Sequence, residues 1–267
     1  MGASLLLALT TTSCDIEPQD RFVELPPIDV QKTVLLMDFT GQRCVNCPEA
    51  HEVMQELVKQ YGDTALITVS IHAGGLALSV DRTNFEYNNI GLMIEQGNEM
   101  NNAFGITSWP MGVVDRINDP GAALNSGEWA AAVRNAFSVP TDVKITANAD
   151  LVGDKINIKA SAISESDRVA ALQLWIVEDS ISARQDTKNG RVNDYIHNNV
   201  LRDVVYSVSD GAPLTLRKGI WTSDSTSVTT KWTDKERWNT RNLSVVAFVF
   251  QGTSILNAVR VPVQIPE

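Results

Sequence analysis

The hydrophobic and polar positions change their period near the middle of the chain. In the first half, apolar runs at residues 34–37 and 65–72 predict buried parallel strands, and a segment with helical period follows the first run. After Pro140, apolar and polar residues alternate over 143–150 and again over 155–162, which predicts two antiparallel strands with one solvent-facing side. The pattern therefore predicts an α/β domain followed by an all-β domain.

The predicted domain boundaries follow this change. Residues 28–140 are predicted to form the α/β domain and residues 141–267 the β domain, whose further strand candidates are 170–177, 200–208, 213–217, 243–251 and 254–263. Roughly seven short strands separated by turn signals are typical of an immunoglobulin-like sandwich. No cysteine lies in this half, so a sandwich pinned by a disulfide is excluded.

Composition adds little to the fold but narrows the partners. The chain has 267 residues, of which 43% are hydrophobic and 20% charged, and this is ordinary for a globular protein of two domains. The formal net charge of −10 argues against nucleic acid or an anionic membrane surface as the main partner. No apolar run approaches the length of a membrane-spanning helix.

The first residues have the pattern of a secretory signal. A short apolar core at 5–9 is followed by small residues and Cys14, a combination that loosely resembles a bacterial lipobox. We predict that residues 1–27 are a signal and tether, and that Cys14 carries a lipid that anchors the protein to a membrane. The alternative is an irregular N-terminus with a spare thiol, but an unpaired cysteine beside a redox pair would scramble disulfides.

Two cysteines with two residues between them, Cys44 and Cys47, follow the first predicted strand and open the predicted helix. Free backbone N–H groups and the helix dipole stabilise a thiolate at this position, so we predict Cys44 as the attacking thiol. Cys47 lies close enough to attack a mixed disulfide formed at Cys44 and would be the resolving thiol. The spacing alone equally suits half of a zinc site or an inert structural disulfide.

Two further segments, with this cysteine pair, resemble the thioredoxin superfamily. Asp38-Phe39 precedes the cysteines on the predicted strand, and Phe104-Gly105-Ile106-Thr107-Ser108-Trp109-Pro110 resembles the segment that ends in the superfamily's cis-proline. The resemblance implies that Asp38 is a buried acid and that Pro110 is the cis-proline facing the disulfide. We predict that Asp38 relays a proton to Cys47 as general base; the alternative is a buried acid that is simply tolerated. Trp109 and Arg43 are the predicted substrate contacts, with a place in the core as the alternative for Trp109.

The chain also departs from the thioredoxin pattern. Arg43 stands where thioredoxins usually have Trp, and Val45-Asn46 replaces the Gly-Pro of the reducing members, so the direction of redox chemistry stays open. The distance from Cys44 to Pro110 exceeds that of the minimal fold, which predicts an insertion at about residues 74–96.

A narrower resemblance covers about residues 28–265. The order of a CxxC domain and a β domain, with the segments 176–179, 195–202 and 245–249, resembles the outer-membrane-protein-twenty-eight-related lipoproteins of Bacteroidetes-type bacteria. This resemblance implies a lipid-anchored protein of the outer membrane, facing the periplasm or the cell surface. The resemblance supports a location and a fold better than a biochemical mechanism.

The three histidines and one charged run have competing interpretations. With Cys44 and Cys47, His51 would complete a three-ligand copper or zinc site, but the simpler interpretation is a histidine near the surface that merely tunes the thiols, and we expect neither metal nor cofactor. His72 is predicted to be structural, and His197 to form hydrogen bonds within a loop. The charged positions at 233–241 predict a solvated loop.

Two functions follow from the sequence. The first is thiol–disulfide exchange, with protein thiols and disulfides of the cell envelope as partners. The second is surface binding or adhesion, in which the thioredoxin-like fold is a scaffold and the CxxC pair a structural disulfide. The cysteine pair with Asp38 and Pro110 favours exchange, because a scaffold needs none of them. The predicted insertion and the large β domain favour binding, because exchange needs neither.

Overall fold

The described part of the first half of the chain forms three strands and three α-helices around the CxxC segment. The computed structural model describes residues 30–87 and 89–266, so the predicted lipidation site at Cys14 lies outside the described residues. In chain order the elements are β1 (Val34–Thr40), α1 (Cys47–Tyr61), β2 (Leu66–His72), α2 (Glu95–Ala103), β3 (Met111–Val114) and α3 (Trp129–Phe137). Strand β1 pairs in parallel with β2 and antiparallel with β3. Every residue of β1 and β2 is buried, as expected for strands covered on both faces.

Helix α1 begins directly at the second cysteine. Pro48 follows at the start of the helix, where its missing N–H costs no hydrogen bond, and Gly62, with φ of 86°, ends it. Its buried face includes Cys47, His51 and Met54, and packs against the sheet. His51 follows Cys47 by one helical turn and therefore also points into the protein.

The segment between β2 and α2 coincides with the predicted insertion. It contains three short 3₁₀ turns, Gly74–Leu76, Val80–Arg82 and Phe85–Tyr87. Isolated bridges join Ser79 to Met93 and Asn84 to Asn89, so the segment folds back on itself. Its first turn lies against the loop that carries the cysteines, because the amide of Arg43 donates to the carbonyl of Leu76 at 2.9 Å.

The second half of the chain consists mainly of strands. They are β4 (Val143–Val152), β5 (Lys155–Ser164), β6 (Arg168–Glu178), β7 (Ile181–Thr187), β8 (Gly190–His197), β9 (Val200–Val204), β10 (Ala212–Leu216), β11 (Thr222–Thr229), β12 (Leu243–Gln251) and β13 (Ser254–Pro262). The alternating pair predicted from the sequence is confirmed as β4 and β5. Strands β7, β8 and β11 were not predicted, because their sequences are largely polar. Much of β8 and β11 is exposed, whereas β7 buries the polar side chain of Gln185.

One sheet runs through both halves of the chain. Its order is β13-β12-β6-β9-β2-β1-β3, and β10 also pairs with β6. Strand β9 makes the connection, since it pairs antiparallel with β6 and, at Ser70 and Val200, in parallel with β2. A second sheet, β11-β5-β4, packs on this one over a shared apolar core. The protein is therefore mixed α/β and rich in strands, while its finer classification stays a prediction.

The predicted solvated loop at 233–241 is wrong for two of its residues. Trp238 is 1% exposed and belongs to the core between the two sheets, and Glu236 is also buried. Glu236 accepts the indole N–H of Trp238 at 2.8 Å and lies 3.2 Å from the guanidinium of Arg202. The charged run at 233–241 thus contains a buried aromatic residue, Trp238, and one partner of a buried ion pair, Glu236.

Candidate functional site

Cys44 and Cys47 form a disulfide in the loop between β1 and α1. Both cysteines are buried: Cys44 is 2% exposed and Cys47 is fully covered. The sequence predicted the position of the pair at the helix N-terminus but gave no sign of how much of it would be covered. The neighbouring parts of the chain that cover the pair therefore decide what can reach it.

The insertion covers the cysteine loop on one side. Besides its backbone bond, Arg43 donates from its guanidinium to the carbonyls of Gly75 at 2.9 Å and Ala77 at 3.2 Å. Gly41 leaves no room for a Cβ, which would lie 2.6 Å from the carbonyl carbon of Leu76. Arg43 is exposed, but its guanidinium is hydrogen-bonded to the insertion. Its predicted contact with a substrate stays a prediction.

The hairpin formed by β7 and β8 covers the loop on the other side. The side-chain amide of Gln185 donates to the carbonyl oxygens of Gly41 at 3.2 Å and Cys44 at 2.9 Å. The backbone amide of Asp186 donates to the carbonyl of Gln42 at 2.7 Å. Gln185 is fully buried, and its partners precede it by more than 140 residues, which is why no local sequence pattern predicted it.

Asp38 lies on β1 with its carboxylate fully buried. Neither of its oxygens has an aligned hydrogen bond, but Oδ2 lies 3.2 Å from Nε2 of His51. The same His51 nitrogen is 3.1 Å from the hydroxyl of Thr40, and Nδ1 is 3.0 Å from the hydroxyl of Tyr195. The predicted buried acid is therefore in place, and its neighbour is the histidine one helical turn after Cys47.

Pro110 follows a cis peptide bond after Trp109. Because Met111 pairs with Phe39, Pro110 lies at the edge of the sheet where β1 ends and the cysteine loop begins. Trp109 is half-buried, donates from its indole to Asn101 at 3.1 Å and packs so closely on Gly74 that a Cβ there would overlap the ring. The roles predicted for Pro110 and Trp109 in holding a substrate stay predictions.

All three histidines line one cavity of about 390 Å³ between α1, β2 and β8. His72 is fully buried, and burial, followed by the charge of His197, lowers its pKa well below the ordinary value. Burial, followed by the charge of His51, lowers the pKa of His197 from 6.5 to about 3. Both rings are therefore neutral at pH 7, and among the described residues no group of three acidic, histidine or cysteine side chains is arranged to hold a metal ion.

The neutral histidines predict a loss of stability in mild acid. In the unfolded chain each imidazole takes up a proton near pH 6.5, whereas the folded chain keeps both neutral, so stability falls as the pH drops below about 6.5. Each ring adds a slope of about 1.4 kcal/mol per pH unit within this window.

We expect the free energy of unfolding of His197→Gln to fall less steeply than that of the wild type between about pH 6.5 and 4. Denaturant unfolding at a series of pH values measures both slopes. Parallel curves would contradict the assignment of His197 as a buried neutral group.

A buried ion-pair cluster lies near enough to His72 for its arginine to affect that histidine. Arg202, which is 3% exposed, has its Nε 3.3 Å from Oε2 of Glu178 and its Nη2 3.2 Å from Oε1 of Glu236. Burial raises the pKa of Glu178, and Arg202 opposes this rise. The sequence interpretation did not single out any of these three residues, although Arg202 stabilises two carboxylates and helps to keep His72 neutral.

Fold and site together define a strand-rich α/β protein with a covered CxxC disulfide beside a buried carboxylate. The family model of outer membrane protein Omp28 matches residues 97–265, more than half of the chain, and the chain belongs to this family. It is accordingly a protein of the outer membrane, as the sequence predicted. The matched range begins after the cysteine pair, so family membership carries no information about Cys44 and Cys47.

Similarity to one solved structure supports the fold. The protein is similar to HBP35 of Porphyromonas gingivalis, with a TM-score of 0.68 and 14% identity over 87% of this chain and 76% of that one. A domain of the outer membrane lipoprotein Omp28 from the same organism matches with a TM-score of 0.35 and 17% identity, over 48% of this chain and 94% of that one. No curated protein matches the sequence. Within the described residues, no helix is long and apolar enough to cross a membrane.

Proposed function

We propose that this protein is a lipid-anchored outer membrane protein whose CxxC pair exchanges thiols and disulfides with proteins of the cell envelope. Cys44 attacks a substrate disulfide, and Cys47 then attacks Cys44 to release the substrate. Asp38 accepts the proton of Cys47. The sheet edge at Trp109 and Pro110 holds the substrate backbone, and the lipid on Cys14 tethers the protein to the membrane.

The observation that carries the proposal is the carboxylate of Asp38. A buried carboxylate without aligned hydrogen bonds destabilises the folded protein, so it persists where a proton has to be moved. A structural disulfide does not need such a group. The order β1-α1-β2-α2-β3, with the cysteine loop between β1 and α1, also supports a thioredoxin-like domain. The packing of β11-β5-β4 on the main sheet supports a sandwich of immunoglobulin-like type after it.

The test is the reduction potential of the Cys44–Cys47 pair in the full chain, with Cys14→Ser so that only two thiols react. We expect a potential between roughly −270 and −120 mV, within the span of known exchangers, measured by thiol trapping across glutathione and dithiothreitol series. We also expect Cys47→Ser to accumulate a mixed disulfide with a substrate, because the resolving thiol is missing.

A second candidate is a surface binding protein in which the disulfide is structural. The burial of Cys44 and its contact with Gln185 favour it, since an exchanger must expose its attacking sulfur to a partner. A bond that stays oxidised at potentials below roughly −300 mV, or thiols that react only after unfolding, would favour this candidate over exchange.

A further inference from the structure

Asp38 is in contact with His51, which contacts Tyr195 in the cavity wall, and thiol–disulfide exchange itself does not require this arrangement. The proton that Asp38 receives in the proposed reaction has to leave again, and the carboxylate is fully buried. A titratable group in contact with it is His51, whose Nε2 lies 3.2 Å from Oδ2 of Asp38. The other ring nitrogen of His51 lies 3.0 Å from the hydroxyl of Tyr195, which is half-buried and lines the cavity.

We propose that His51 and Tyr195 are the proton outlet of the redox site, carrying protons between Asp38 and the cavity. Tyr195 comes from the hairpin of the second half of the chain, so the β region would complete the site built by the first half. This proposal rests on the proposed function. His51 and Tyr195 are positioning residues, because they act on the cysteines through Asp38. Neither residue touches the sulfur atoms in the contacts described above.

When a substrate disulfide oxidises the cysteine pair, the thiolate of Cys44 first bonds to one substrate sulfur, the substrate S–S bond breaks, and the other substrate sulfur leaves as a thiolate. In the mixed disulfide, Cys47 transfers its proton to Asp38 and its sulfur bonds to the sulfur of Cys44. The bond between Cys44 and the substrate breaks, and the substrate leaves as a thiolate. The cysteines are oxidised and the substrate disulfide is reduced by two electrons, with one proton left on Asp38.

That proton then moves through His51. Nε2 accepts it from Asp38, while Nδ1–H donates its proton to the oxygen of Tyr195, whose own O–H proton passes to water in the cavity. The hydroxyl of Thr40 lies 3.1 Å from Nε2 and is able either to donate or to accept, so it accommodates both protonation states of the ring. The pKa of Tyr195 is raised, mainly by burial and then by Asp38, so its hydroxyl stays protonated and acts as a relay.

The other titratable and charged groups near His51 determine which of them compete with it for the proton of Asp38. The titratable and charged groups that contact it or line the same cavity are Asp38 on β1, His72 on β2, Tyr195 and His197 on β8, Lys59 and Asp63 on and after α1, and Arg260 on β13, while Glu52 on α1 acts on Tyr195. His72 and His197 have lowered pKa values and stay neutral, so neither competes for the proton at pH 7. Of the three histidines, His51 alone is in contact with Asp38 in the structure.

The experiment separates the two chemical steps. The reduced full chain with Cys14→Ser is mixed with a small aromatic disulfide that releases a coloured thiolate. The first release reports attack by Cys44, and the second reports resolution by Cys47. We compare wild type, His51→Gln and Tyr195→Phe. The matched control is Tyr206→Phe, which loses a hydroxyl that donates to Asp224 away from the site.

We expect His51→Gln to slow the second release about tenfold near pH 6.5 and Tyr195→Phe to slow it at least about threefold, with the first release unchanged. The slowing of the second release should become smaller toward pH 9, because a thiol with an ordinary pKa near 8.5 ionises there without a proton acceptor. A merely structural role would not produce this pH dependence. We expect both releases in Tyr206→Phe to match the wild type.

Three outcomes would overturn the outlet. If both variants resolve the mixed disulfide at the wild-type rate at every pH, His51 and Tyr195 carry no proton, while exchange itself stands. The same conclusion follows if the deficit is equal at all pH values. If the wild type shows no first release, the proposed function fails, and the outlet fails with it. If His51→Gln does not fold, the Tyr195→Phe comparison decides.

Discussion

The substitution Arg202→Met is expected to lower the free energy of unfolding by about 3–5 kcal/mol at pH 7, the usual cost of removing one partner from a buried ion pair. Arg202 is 3% exposed and is the cation between Glu178 and Glu236, both of which are buried. Methionine preserves much of the side-chain volume but leaves Glu178 without the cation that offsets its desolvation, while Glu236 keeps partly exposed Lys231, whose Nζ lies 3.4 Å from Oε2 of Glu236. Denaturant unfolding of the full chain measures the change.

The same substitution should respond to pH in a defined direction. The pKa of Glu178 is already raised by burial in the folded protein, and losing Arg202 raises it further. A raised carboxyl pKa destabilises the fold above that pKa and ceases to do so in acid, so the deficit of Arg202→Met should shrink as the pH falls toward 4.5 and below. The control is Arg217→Met, which removes an exposed pair with Asp167 and should change little. A loss below about 1 kcal/mol for Arg202→Met would contradict the role given to this cluster.

The second large effect is expected at Gln185, whose amide spans the hairpin and the cysteine loop. Gln185→Leu should lower the free energy of unfolding by about 2–3 kcal/mol, because it removes hydrogen bonds to the carbonyls of Gly41, Cys44 and Asp186 at about 1 kcal/mol each. It should also speed reduction of the Cys44–Cys47 disulfide by dithiothreitol about tenfold or more, because looser hairpin contacts open the sulfur atoms more often.

The matched control for this substitution is Gln173→Leu. Gln173 is a buried glutamine whose amide donates to the carbonyl of Ser207, and it lies on β6 rather than on the hairpin. It should lose stability without a specific gain in the rate of disulfide reduction under native conditions. Equal reduction rates for Gln185→Leu and the wild type would mean that the hairpin does not control access to the cysteines.

The parts of the site that the sequence predicted are those carried by short segments. The spacing of Cys44 and Cys47 after an apolar run was sufficient to place them between a strand and a helix. Asp38 and Pro110 were predicted by resemblance, and the structure places both on neighbouring strands or at their ends. These positions are fixed by backbone register near the cysteines, so a local pattern carries the information.

The parts that could not be predicted are contacts across long separations in the sequence. Gln185 and Tyr195 reach the cysteine loop and His51 from 144 residues away. Strand β8 is largely exposed, and the buried residue of β7 that contacts the loop is a polar glutamine, so neither strand has a clear apolar pattern. Glu236 lies in a run of charges that is typical of a solvated loop, although its carboxylate pairs with buried Arg202. Such pairings depend on how the two halves of the chain pack, which no window of a single sequence describes.

The position of β9 has a consequence for handling the protein. It lies between β6 and β2, so it closes the side of β2 that does not pair with β1. A fragment ending near residue 140 would leave β2, an apolar strand of seven residues, as an open sheet edge. Open apolar edges pair readily with other chains and lead to aggregation. The C-terminal strands therefore protect the edge of the cysteine-bearing sheet from pairing with other chains. The two halves should be expressed and engineered together.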